Sequence, residues 1–191
     1  MPIEPRETPP TLPTAAPRRL RYQVAASVDG FIAAEDGSYD WIPMDPAIDF
    51  GALFAQFDTL VMGRHTYETM QAHGGGAGAK GVFGKETFVF SRTLAANDNP
   101  AVTVVAGDLE ETITALKAKP GKDIWLFGGG NLFRQLIDAG LVDTVEVAVM
   151  PVLLGAGIPL IPRGALVKLA LQKHVTYENS GSVLLEYRVA R

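Results

Sequence analysis

From Leu20 onward, short apolar runs alternate with segments whose apolar residues recur every three or four positions, and this alternation limits the fold more than any other feature of the chain. The runs Tyr22–Ser27, Thr59–Met62, Thr87–Phe90, Ala101–Gly107, Ile124–Phe127 and Thr144–Leu154 read as strands. A helix is expected after Pro46, from the spacing of Ile48, Phe50, Leu53, Phe54 and Phe57, and a short one over His65–Met70, with Thr66 as its cap. Asp108 can cap a third, with Leu109, Ile113 and Leu116 on one face. Leu132, Phe133, Leu136 and Ile137 line a fourth, ended by Gly140. Strands alternating with helices require a largely parallel sheet covered on both faces. The last forty residues read as an antiparallel hairpin that turns at Asn179-Ser180-Gly181. The expected organisation is one α/β domain over residues 19–191, preceded by a disordered tail, residues 1–18, that holds six prolines.

Charge and composition remove several classes of function. Lys and Arg number 17 against 21 Asp and Glu, a net charge of −4, which argues against nucleic acid as a partner. There is no cysteine, so disulfides, zinc thiolate sites and a cysteine nucleophile are ruled out, and a cytoplasmic location is expected. The three histidines are scattered, so no His-based metal site is expected. No apolar run approaches the roughly 18 residues of a membrane span, and the N-terminus lacks a signal-peptide pattern.

Three expected strand ends carry chemistry. The first is Gly128-Gly129-Gly130, followed by Asn131 and Leu132 at the start of a helix. Glycines there let a ligand approach the backbone, and the helix start offers unpaired N–H groups to an anion such as a pyrophosphate. A tight turn with close helix–strand packing is the alternative use of the same glycines. The triplet is not the Rossmann fingerprint, because Phe133 stands where a third spaced glycine is needed. The glycine-rich stretch His73–Gly81, expected to be a flexible loop, lacks the ending of a phosphate-binding P-loop. The second end is Gly63-Arg64 with Thr66, and the third is Ser91-Arg92-Thr93. Two arginines, each beside a hydroxyl, can grip the 2′-phosphate of NADP, since the guanidinium fork matches phosphate. A solvated surface charge is the alternative for either.

These stretches, with VAASVDGFIAAEDGSYDW, DTLVMGRHTYE, FVFSRTL and DIWLFGGGNLFRQLIDAGLVDTVEVAVMPVLLGAGIPLI in that order, resemble the dihydrofolate reductase superfamily. The similarity is greatest to the branch of the riboflavin-biosynthesis reductase domain, and it spans about residues 20 to 189. It implies a three-layer fold with a mixed, mainly parallel eight-stranded sheet, NADPH as hydride donor and a homodimer. It implies that Ala25 and Ala26 lie beside the nicotinamide. Gly63, Arg64 and Thr66 match a phosphate-binding turn, Ser91 and Arg92 the residues on the 2′-phosphate, and Gly128 to Leu132 the pyrophosphate loop. Asp29 matches an acid near the substrate, able to orient it or relay a proton. Folate-reducing members carry an acid at a position that falls at or near Ala47 here, flanked by Asp45 and Asp49. Trp41, Asp45 and Asp49 are the candidate substrate residues. The expected function is NADPH-dependent reduction of a small heterocycle of pyrimidine ribosylamine or pterin type. The alternatives are a nucleotide-binding module without turnover, or a dihydrofolate reductase with a shifted substrate acid.

Overall fold

The structure is a computed structural model that describes residues 17–72, 78 and 81–190. The expectations for residues 1–16 and for most of the stretch 73–80 lie outside the described residues. The main sheet has eight strands in the order β5-β4-β3-β6-β1-β7-β10-β9. These are β1 (Leu20–Ser27), β3 (Phe57–Gly63), β4 (Glu86–Phe90), β5 (Thr103–Val105), β6 (Asp123–Gly128), β7 (Thr144–Met150), β9 (Leu169–Tyr177) and β10 (Ser182–Val189). Neighbours from β5 to β7 pair in parallel, and β10 pairs antiparallel with both β7 and β9. The short strands β2 (Phe31–Ala33) and β8 (Ile158–Pro159) pair with each other outside this sheet.

The helices are α1 (Phe50–Phe54), α2 (Arg64–Ala72), α3 (Leu109–Ala118) and α4 (Gly130–Asp138). Each face of the sheet carries its own apolar cluster. On one face α3 and α4 bury Ile113, Leu116, Leu132, Phe133, Leu136 and Ile137 against Leu20, Tyr22 and Val145, and Tyr22 stacks on Phe133 with centroids 3.8 Å apart. On the other, Phe57, Leu60, Met62, Tyr67, Met70 and Trp125 form the second cluster, with Leu53 and Phe54 of α1 at its edge. Each such side chain contributes about 1.5–3 kcal/mol when fully buried. No helix among the described residues is long and apolar enough to cross a membrane.

Four local expectations are corrected. Helix α1 is confined to five residues, because Asp49 caps it and Phe57 is already the first residue of β3. Thr66 is not a cap: α2 begins at Arg64, straight after Gly63, which places Thr66 inside the helix. β5 spans only Thr103–Val105, the stretch that pairs with β4. β7 stops at Met150, because Pro151 has no N–H to continue the ladder.

Candidate active site

A cleft of about 1490 Å³ opens along the carboxyl ends of the parallel strands. A small-molecule site more often encloses about 300–1,000 Å³, so this one has room for a dinucleotide and a second ligand. Its lining brings together Ala25, Asp49, Gly63, Arg64, Thr66, Ser91, Arg92 and the run Gly128 to Leu132. Ala26, Asp29, Trp41 and Asp45, also singled out from the sequence, are not among the lining residues.

The phosphate-suited groups stand on adjacent strands. β4, β3 and β6 are consecutive in the sheet, and Arg92, Arg64 and the glycine triplet follow their ends. Strand spacing puts the outer two about 10 Å apart. At β6, Gly129 takes φ 93 and no side chain caps α4, whereas Asp49 and Asp108 cap α1 and α3. The first-turn N–H groups of α4 therefore have neither an intrahelical partner nor a capping side chain. The packing use of the triplet is equally visible. A Cβ on Gly128 would lie 3.1 Å from Thr66 Cγ2, and one on Gly130 would lie 2.7 Å from the Pro159 carbonyl oxygen. Thr66 therefore acts here by fitting against the glycine turn. Ser91 Oγ accepts the N–H groups of Thr93 at 3.1 Å and Leu94 at 2.9 Å, which leaves its own proton to donate. Arg64 is engaged by Glu68, one helical turn on, at 3.0 Å.

The acids predicted for the substrate side separate. Asp29 is an exposed fastener: its carboxylate accepts the Ser27 hydroxyl at 2.6 Å and the N–H groups of Leu154 at 3.1 Å and Gly155 at 2.7 Å. The Ser27 bond first, then those of Gly155 and Leu154, hold it below the ordinary carboxylate range. It thus ties the loop after β7 to the turn after β1. Asp45 is buried, and it accepts N–H groups from Ala47 at 2.8 Å and Ser180 at 2.9 Å. The Ala47 bond first, and then Ser180, lower it as well, so Asp45 fixes the β9–β10 turn to the segment before α1. Asp49 caps α1 by accepting Ala52 N–H at 2.8 Å, and among the described residues it is the one carboxylate of the lining. Trp41 keeps its indole N–H buried without an acceptor.

Sequence reasoning missed the other wall. Phe54, Phe83, Trp125 and Phe127 form an aromatic strip, with Phe54 and Phe83 stacked at 5.3 Å and Trp125 edge-on to Phe127 at 5.0 Å. Gln23, Ala148, Lys173, Val175, Tyr177 and Leu184 continue the lining across β1, β7, β9 and β10. A polar Gln inside the apolar run YQVAAS was the one available signal for any of them.

This arrangement defines a dihydrofolate reductase-like protein by fold. The chain is similar in structure to dihydrofolate reductase from Enterococcus faecalis, complexed with NADP(H) and RAB-propyl, with a TM-score of 0.65, 19% identity, and 91% and 97% of the two chains covered. The chain belongs to the RibD C-terminal domain family, whose model matches residues 18–183. It is 38% identical over 151 residues to the uncharacterized protein YyaP of Bacillus subtilis strain 168, covering 75% of this chain and 80% of that one. A crystal structure from Shewanella sp. PV-4, of a protein provisionally named for riboflavin biosynthesis, matches with a TM-score of 0.75 and 28% identity over 91% of this chain and 99% of its own.

Proposed function

We propose that the chain is an NADPH-dependent reductase that delivers hydride to a small heterocyclic substrate of pyrimidine ribosylamine or pterin type. The observation that carries this reading is the alignment of three anion-suited strand ends, β4, β3 and β6, side by side on one cleft. The residues present fit the cofactor. The uncapped start of α4 suits the pyrophosphate, and Arg64, Ser91 and Arg92 suit the 2′-phosphate. When bound, the cofactor supplies the hydride. The chain's own residues supply position and shelter. Ala25, with the smallest side chain after glycine, leaves room on β1 for a flat ring. The strip of Phe54, Phe83, Trp125 and Phe127 offers a second planar surface for a substrate ring. Thr66 and the Pro159 carbonyl hold the glycine turn in shape.

Reduction of a C=N or C=O bond also consumes a proton. Asp29, engaged by Ser27, Leu154 and Gly155, serves in this reading as a positioning residue for the loop, and Asp49 is the carboxylate on the cleft. The hydrogen bonds that hold Asp29 to its own loops favour a second reading, a nucleotide-binding module without turnover. One experiment separates the two: NADPH oxidation followed by absorbance against pyrimidine ribosylamines, pterins and dihydrofolate. Turnover of a ribosylamine or pterin supports the reductase. Saturable NADPH binding with no oxidation by any substrate supports the module, and turnover of dihydrofolate at ordinary rates assigns the substrate acid to Asp49.

A further inference from the structure

Gln23, with Lys173 and Tyr177, is one of the polar side chains of the substrate-side wall that the reading above leaves without work, and it lies on β1 beside Ala25. In β1, Tyr22, Val24 and Ala26 belong to the apolar core of one face, so Gln23 and Ala25 project from the other. Ala148 pairs with Ala25, Leu184 with Ala148 and Val175 with Leu184, and all four line the cleft with Gln23. The register partner of Gln23 on β7 is Glu146, which is fully engaged: Arg21 grips both its oxygens at 2.7 Å, and the Thr144 hydroxyl donates to it at 2.9 Å. The Trp125 indole N–H is also taken, by the main-chain carbonyl of Gln23 at 3.1 Å. The side-chain oxygen of Gln23 is buried and has no hydrogen-bond partner. Buried polar atoms are rarely left this way unless a ligand or water completes them.

We infer that Gln23 is the specificity-determining residue of the substrate half of the cleft, and that it reads the cis-amide edge of a neutral lactam ring, an N–H beside a C=O. A carboxamide presents one acceptor and two donors in a plane, which is the complement of that edge. A half-turn of the amide only exchanges the two, so the match does not depend on which way it points. A carboxylate at this place would instead favour a protonated amidine edge with two donors, which a diaminopyrimidine presents once its ring nitrogen takes up a proton. Gln23 and Ala25 are separated by about 6.6 Å along the strand. A ring paired to Gln23 therefore lies beside the place the reductase reading gives the nicotinamide, and to that extent the inference rests on that reading.

The test is calorimetric titration of the full chain, with and without saturating NADPH, by uracil, by dimethyluracil methylated on both ring nitrogens, and by a diaminopyrimidine. Uracil is expected to bind about tenfold more tightly than dimethyluracil, which has no N–H to give. Gln23→Leu removes that preference, and Gln23→Glu transfers it to the diaminopyrimidine, with an unchanged circular dichroism spectrum and cooperative urea unfolding of both variants as the control for folding. Equal affinity of the native chain for uracil and dimethyluracil overturns the inference. So does a Gln23→Glu chain that still prefers uracil, the arm that decides if Gln23→Leu does not fold. Failure of NADPH to bind while Gln23 still discriminates the rings removes the hydride-transfer reading and leaves this one standing.

Discussion

Replacing Arg92 with Ala tests the cofactor rim most directly. An arginine–phosphate contact is a charge-assisted hydrogen bond worth about 1.5–3 kcal/mol, so the loss should weaken NADPH about ten- to a hundredfold. NADH, which has no 2′-phosphate, should be nearly unaffected. Arg64 should behave similarly with a discount. Its guanidinium is already held by Glu68 at 3.0 Å in an exposed pair one helical turn apart, and both side chains are about two-fifths open to solvent at 37% and 43%. Such a pair is worth about 0.3–0.5 kcal/mol. Recruiting Arg64 to a phosphate gives up that contact, so Arg64→Ala should cost about twofold less than Arg92→Ala. By the same reasoning Glu68→Gln, which frees Arg64 in advance, should tighten NADPH about twofold. Calorimetry with NADPH and NADH on the three variants measures all of this. An equal loss for both nucleotides would refute the 2′-phosphate assignment, and a Glu68→Gln chain that binds NADPH more weakly would refute the competition.

The remaining predictions concern stability. Gly130→Ala puts a Cβ 2.7 Å and 3.1 Å from the carbonyl oxygens of Pro159 and Leu160, backbone atoms that cannot swing aside, so a loss of about 1–3 kcal/mol is expected in urea unfolding, and an unchanged midpoint would mean the strand moves freely. For Asp123, burial alone would raise the carboxyl, but hydrogen bonds from the Arg19 side chain and N–H, and from Arg21, override it and hold it below the ordinary value of 3.8. A lowered folded-state value stabilises the fold above the unfolded value and stops doing so as pH falls through the folded one. Asp123→Asn should therefore flatten the loss of stability below about pH 4, and an acid limb identical to that of the native chain would contradict the pairing. Removing Glu146 alone takes two charge-assisted bonds from the buried Arg21 guanidinium, which keeps Gln56 at 2.7 Å and Asp123 at 3.3 Å, and should cost about 1.5–3 kcal/mol, while the double change Arg21→Met with Glu146→Leu should cost less than the sum of the two single changes; additive losses in a double-mutant cycle would show the pair is not coupled.

Much of the sheet was legible because burial writes it plainly. The runs that became β3, β4 and β6 hold continuous apolar stretches, as strands covered on both faces do, and β1 is apolar but for Arg21, Gln23 and Ser27. Helices α3 and α4 carry both their apolar spacing and their stops, Gly140 at φ 70 among them. The failures lie where tertiary contacts override local pattern. Phe57 continues a helical spacing from Phe50 and Leu53, yet it is 1% exposed at the start of β3, stacked on Trp125 at 5.0 Å. β8 is two residues long and includes a proline, so no periodicity could announce it.

The same contrast divides the cleft. Its phosphate-suited rim is made of backbone and of residues that directly follow strands, so glycines and arginines at those places announce it without knowledge of which strand neighbours which. The wall where the proposal places the substrate is assembled by register instead. Ala25 meets Ala148, Ala148 meets Leu184 and Leu184 meets Val175 only because β1, β7, β10 and β9 lie in that order, with three of the four brought together from the last third of the chain. A shift of one residue in any of these pairings would turn each side chain to the opposite face. The acids expected on this side show the consequence. Asp29 and Asp45 sit beside turns where a carboxylate can serve a substrate or the chain itself, and both are consumed by main-chain N–H groups that only the folded loops deliver. Gln23 remains on the cleft, and sequence alone gives no reason to prefer it over the two aspartates. What distinguishes it is that its oxygen is buried without a donor, and that property exists only once the sheet has formed.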